Sequence, residues 1–64
     1  MNWHYQIRRR ENEHGPWYEI CEVYSNPQAT TIGAMAPVSE TRKGLIKVLE
    51  MMLHDAKKYK TLRG

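Results

Sequence analysis

Between Thr41 and Leu62, Leu45, Leu49, Met52, Ala56 and Tyr59 recur at alternating steps of four and three. That spacing keeps one apolar stripe on one side of a 3.6-residue helix, and Ile46, Val48 and Leu53 widen it. The segment therefore predicts an amphipathic helix that must pack against something. Either Ser39 or Thr41 can accept a hydrogen bond from the amides that open it. Glu40 adds a favourable charge near the positive end of the dipole, whereas Gly44 weakens the first turns. Lys57, Lys58, Lys60 and Arg63 complement the negative pole, and Gly64 is a natural stop.

A period of two replaces this rhythm at the start of the chain. From Trp3 to Arg10, Trp3, Tyr5 and Ile7 alternate with His4, Gln6 and Arg8, as in a half-buried strand whose outward side carries His4, Gln6, Arg8 and Arg10. Glu11 to Pro16 reads as a polar loop, and Trp17 to Tyr24, rich in aromatic and β-branched residues, as a second strand. So short a connection makes the pair an antiparallel hairpin. The parity of the second strand is open, since Tyr18 and Ile20 point one way and Cys21 and Val23 the other; a bulge is one resolution. Asn26 and Pro27 suit the first two positions of a β-turn. Ala29 to Ala36 follows as a weaker third strand at an edge, loosened by Gly33 and ended by Pro37. The expected fold is α+β: a three-stranded antiparallel β-sheet packed on one face by a single C-terminal α-helix, in the order β-β-β-α. Residues 1–64 make one small domain in this reading.

Length limits what such a domain can hold. A chain of 64 residues buries only about 60% of the surface its unfolded form exposes. With 41% hydrophobic residues and no Phe, the aromatic volume falls to Trp3, Trp17 and four tyrosines, and a deep enclosed active site is not expected. Cys21 is the single cysteine and has no intramolecular partner. No run of about 18 apolar residues and no basic-then-apolar leader opens the chain, so a cytoplasmic location without membrane association is expected. The start at Met1 suggests a complete small open reading frame. The net charge of +3 is concentrated in Arg8-Arg9-Arg10 and in Lys57, Lys58, Lys60 and Arg63, which permits acidic partners.

Candidate chemistry is sparse. His4, His14, Cys21 and His54 form no pair at the close spacing of zinc sites, so no metal is expected. His54 shares a helix face with Lys43, Lys47, Glu50 and Lys57 and reads as a solvated side chain; Cys21 reads as a small buried hydrophobe. Catalysis needs a nucleophile within reach of a base in a site closed to water, and nothing in the pattern supplies either. The four glycines are scattered, so no phosphate loop exists. No enzyme activity and no cofactor are expected.

The string Glu22-Val23-Tyr24, then a turn, then Pro37-Val38, Glu40-Thr41 and a helix carrying Leu49-Glu50-Met51, resembles a group of short bacterial and phage proteins of undefined function. Their opening is similar to Trp3-His4-Tyr5. The resemblance covers most of the chain and implies the β-β-β-α fold; it carries no activity. Arg42-Lys43-Gly44 departs from it, standing where acidic helix-capping residues are usual, as does the basic tail.

These features point to a small macromolecule-binding protein, foremost a protein-protein interaction module or inhibitor-type accessory of the kind a phage or mobile element encodes. Arg8, Arg9, Arg10, Trp17, Tyr24, Lys57, Lys58 and Lys60 are the expected contact residues, being exposed aromatics and cations of the types that dominate interfaces. Met35, Met51 and Met52 could add an adaptable apolar patch. A nucleic-acid-binding domain using the basic first strand and basic helix is the alternative, opposed by Glu11, Glu13, Glu19 and Glu22 nearby. An unpaired edge strand would also allow a homodimer.

Overall fold

Two long strands carry most of the pairing. β1, Trp3–Asn12, and β2, Gly15–Ser25, run antiparallel in one unbroken register, from Trp3 opposite Tyr24 to Asn12 opposite Gly15. The computed structural model describes residues 2–25 and 28–63. The turn is tighter than the expected loop, because Asn12 Oδ1 accepts the His14 N–H at 2.8 Å and Gly15 adopts a positive φ of 113°. Only glycine takes that φ without strain.

No bulge interrupts the hairpin, so its parity is settled by both faces being partly apolar. Trp3, Tyr5, Ile7 and Arg9 share one face with Tyr24, Glu22, Ile20 and Tyr18. His4, Gln6, Arg8 and Arg10 share the other with Val23, Cys21, Glu19 and Trp17. This second face is not the outward one that the alternation suggested: Gln6, Arg8 and Cys21 are all buried on it.

β3 is shorter than expected. Only Gln28–Thr30 pairs with β2, opposite Val23 to Ser25. Beyond it the chain tracks the edge of β2 irregularly: Thr31 N–H donates to Glu22 O at 3.0 Å and Met35 N–H to Ile20 O at 2.8 Å. The ladder stops because the Thr31 and Ile32 carbonyls accept hydrogen bonds from arginine side chains of β1 instead of strand amides. The turn expected at Asn26-Pro27 and the stop at Gly64 lie outside the described residues.

α1 spans Arg42–Lys58. Of the two candidate caps Thr41 is the one used, its Oγ1 accepting the Gly44 N–H at 3.0 Å. Ser39 folds over the same turn, where a Cβ at Gly44 would collide with its Oγ. The helix ends before the expected Leu62, since Tyr59 is already extended. Leu62–Arg63 forms β4, parallel to β1 beside Arg8 and Arg9. The sheet is therefore mixed and four-stranded, in the order β3-β2-β1-β4.

The helix does not roof the sheet. Its principal packing partner is β1, and its C-terminal half is tied to that strand by polar contacts. Asp55 Oδ2 accepts the Tyr5 N–H at 3.0 Å, Gln6 Nε2 donates to Lys60 O at 2.6 Å, and the His4 ring stacks on Tyr59 with centroids 3.6 Å apart. Among the described residues the buried apolar side chains are Tyr5, Cys21 and Met52. Leu45 and Val48 are half-buried, while Ile46, Leu49 and Leu53 remain 41%, 46% and 57% exposed. The apolar stripe is thus only partly covered, for a helix packed on β1 covers one flank of a long hairpin.

Candidate interaction surfaces

Arg8 and Arg10 point from the same face of β1 toward Glu19, which pairs with Arg8 across the ladder. The Arg8 side chain is only 6% exposed and that of Glu19 only 10%. Glu19 Oε2 accepts from Arg8 at 2.5 Å and 3.1 Å and from Arg10 Nε at 3.1 Å, while Oε1 accepts the Trp17 Nε1–H at 2.8 Å. These donors, Arg8 first, hold the Glu19 carboxyl at a pKa of about 2, well below the usual range. The remaining guanidinium donors go to the loop: Arg8 to Thr31 O at 2.6 Å and Ile32 O at 3.1 Å, and Arg10 to Ile32 O as well.

Two of the three expected contact arginines are therefore engaged within the fold, Arg8 buried and Arg10 half-buried. Arg9 lies on the opposite face, 3.5 Å from Glu11, with Arg63 brought beside it by β4. Trp17 is exposed, but its indole N–H is committed to Glu19. Tyr24 is exposed with its hydroxyl donated to Glu22, which raises its pKa. Trp17 and Tyr24 lie on opposite faces and, at about 3.3 Å per residue, roughly 23 Å apart along β2. The structure does not join them into one patch. Lys57 and Lys58 are exposed in the last helical turn, and Lys60 just beyond it is exposed while its carbonyl holds Gln6.

A surface that the sequence reading did not single out stands on α1. Ile46, Leu49 and Leu53 follow one another at steps of three and four, and Arg42 continues the series four residues before Ile46. They form one ridge, aliphatic over most of its length and cationic at its start. Met52 is buried, Met35 half-buried and Met51 exposed, so these three do not combine as one patch. On the sheet, Ile7, Tyr18, Glu19 and Ile20 line a shallow open depression of about 280 Å³. In the loop Ile32 is 90% exposed, but its carbonyl is turned inward to the arginines, so the loop offers a side chain and not a readable main chain.

The titratable groups that metal or catalytic chemistry would use are dispersed. Among the described residues no three His, Cys, Asp or Glu side chains gather as a metal site. Cys21 is fully buried, with its Sγ 3.4 Å from Gln6 O and its thiol pKa pushed up by burial. Tyr5 is likewise pushed up, by burial first and then by Glu22 and Asp55. No described helix is long and apolar enough to cross a membrane. No protein-family model, curated protein or solved structure matches the chain.

Proposed function

We propose that this chain is a non-catalytic cytoplasmic module that binds another protein, in the manner of a small inhibitor or accessory. The observation that carries the reading is the ridge of Ile46, Leu49 and Leu53, three large aliphatic side chains on one helix face that stay about half exposed. Scattered exposed aliphatics need no explanation, but a contiguous row along a helix is how one protein anchors in another's groove. Lys57, four residues after Leu53, continues that face, with Lys58 and Lys60 at the same end of the helix but off it, whereas Arg8 is buried in the fold.

Quantitative pull-down from lysate with wild type and with the double variant Leu49→Glu, Leu53→Glu tests this. Both positions are exposed, so the variant should keep its far-ultraviolet circular dichroism and lose the specifically retained protein. If wild type retains nothing that the folded variant does not, the reading fails.

A nucleic-acid reading draws on a different observation: none of the ion pairs among the described residues involves Lys43, Lys47, Lys57 or Lys58. It requires that log affinity for duplex DNA fall linearly with log salt, the slope shrinking by about one for each phosphate-contacting lysine removed.

A further inference from the structure

Four residues at the open end of the hairpin share one face of the sheet: Trp3 stands opposite Tyr24, and Tyr5 opposite Glu22. Trp3 and Tyr5 meet edge to face, with ring centroids 5.1 Å apart and planes at 87°. Perpendicular rings make a corner, whereas the His4 and Tyr59 rings stack flat at 3.6 Å and close their inner faces to one another. Packing of the hairpin accounts for the rings, but not for the carboxylate set among them. Glu22 is half-buried, accepts the Tyr24 hydroxyl at Oε1, and makes no ion pair among the described residues. Glu19 by contrast takes Arg8 and Arg10, and Glu11 takes Arg9. Asp55 is engaged by the Tyr5 N–H and His54, and Glu13, Glu40 and Glu50 are exposed to water. The two phenols register the same imbalance. Burial, then Glu22 and Asp55, push the Tyr5 pKa up, and the Glu22 hydrogen bond pushes that of Tyr24 up, with no Lys or Arg among the described residues opposing either. The ring faces are negative as well. In a chain of net charge +3, this corner gathers three aromatic rings and a half-buried carboxylate without a cation.

We propose that Trp3, Tyr5, Tyr24 and Glu22 bind a methylated ammonium group, the rings meeting its methyls and the carboxylate its charge. A primary ammonium is a poorer occupant, because its three donors need acceptors in place of water and the corner offers one carboxylate with an oxygen already engaged. A methyl-clad cation has no such donors and is attracted by ring faces within about 6 Å. The other aromatic groups do not offer this. Tyr59 already has Lys58 Nζ 5.3 Å from its ring centroid, and the Trp17 indole is bonded to a carboxylate that two arginines neutralise. The site lies on the hairpin and not on α1, so it goes beyond the protein-binding reading and does not depend on the ridge.

Titration of the intact, isotope-labelled chain with choline, followed by heteronuclear NMR, tests the proposal. The comparison ligands are the neutral analogue of choline with carbon in place of nitrogen, and ammonium. The expected result is saturable shifts centred on the Trp3 indole N–H and the Tyr24 amide. Binding should be at least about fivefold weaker for the neutral analogue, for ammonium, and for the variants Glu22→Gln and Tyr24→Leu. Tyr24→Phe keeps the ring and should keep the binding. Far-ultraviolet circular dichroism establishes that each variant is folded; should one not be, the comparison of choline with its neutral analogue on wild type decides. Nε-trimethyllysine is titrated in parallel: tighter binding than choline identifies a protein side chain as the source, weaker binding a small solute, and either supports the site. No saturable shift at Trp3, equal binding of the neutral analogue, tighter binding of ammonium, or undiminished binding by folded Glu22→Gln overturns the proposal. Leu49→Glu/Leu53→Glu should bind choline as wild type does, so this site and the lysate experiment are decided separately.

Discussion

Replacing Arg8 by alanine removes the guanidinium that joins β1 to β2 and to the loop. Its side chain is 6% exposed and donates to Glu19, Thr31 O and Ile32 O, so the substitution leaves a buried carboxylate short of its main partner and the Thr31 carbonyl without its arginine donor. Breaking such a pair from one side is costly, and leaving the Thr31 carbonyl without its donor adds about 1–3 kcal/mol. A single core of this size rarely supplies more than about 3–5 kcal/mol, so Arg8→Ala should unfold at a markedly lower urea concentration than wild type. The adjacent arginine is the control. Arg9 and Glu11 are 28% and 61% exposed at 3.5 Å, and such a surface pair is worth about 0–1 kcal/mol. Urea unfolding followed by tryptophan fluorescence suits the comparison, since Trp17 is bonded to the same carboxylate. Arg8→Lys keeps the charge but lacks the fork needed to reach strand and loop together, and should fall between wild type and alanine. If Arg8→Ala lies within about 0.5 kcal/mol of wild type, or Arg9→Ala is as costly, the network is not what holds the loop.

Acid should act through the same carboxylate. The Glu19 pKa is about 2 in the folded chain against an ordinary value of 4.5, so the folded state binds fewer protons and this contribution is fully present above about pH 4.5. It is lost as pH falls toward 2, and Glu19→Gln should flatten that limb of the stability-pH curve measured by urea midpoints. Asp55→Ala should cost about 1–3 kcal/mol by leaving the Tyr5 N–H unpaired, and hydrogen exchange at Tyr5 should accelerate more than at Ile20; an unchanged Tyr5 rate would show that the helix does not hold this edge.

The hairpin and the helix were legible because each rests on local chemistry, alternation and heptad-like spacing, while the cap was legible only to within Ser39 or Thr41, since both carry a hydroxyl three residues before an amide. What was not legible rests on contacts between distant residues. Strand alternation assigns residues to two faces but does not say which face is covered, so Arg8 reads as outward although the loop from Thr31 to Gly33 closes over it. The third strand reads too long for the same reason, as nothing local to Thr31 or Ile32 announces that arginines more than twenty residues earlier take their carbonyls. β4 is invisible locally, since two residues carry no period; it exists because β1 has an outer edge to pair. The exposed ridge was half legible. The stripe was plain, with Ile46 and Leu53 widening it, but its uncovered flank appears only once the helix packs on β1.

Shortage of apolar cover connects these departures. With Tyr5, Cys21 and Met52 as the buried apolar side chains among the described residues, cohesion shifts to polar contacts that bridge elements: Arg8 to Glu19 and the loop, Asp55 to Tyr5, Gln6 to Lys60, His4 to Tyr59. The hydrogen bonds among them are directional and satisfied, so they fix the arrangement of the elements as well as hold it. The aliphatic residues they cannot use stay on α1 as the ridge. Burial of that ridge by a partner then stabilises the fold itself, because a ligand that binds only the folded chain adds RT ln(1 + [L]/Kd), about 2.7 kcal/mol at a hundredfold excess over Kd. For a chain whose own margin is a few kcal/mol, that contribution would be comparable to the margin, so the proposed reading couples recognition and folding at the same helix face.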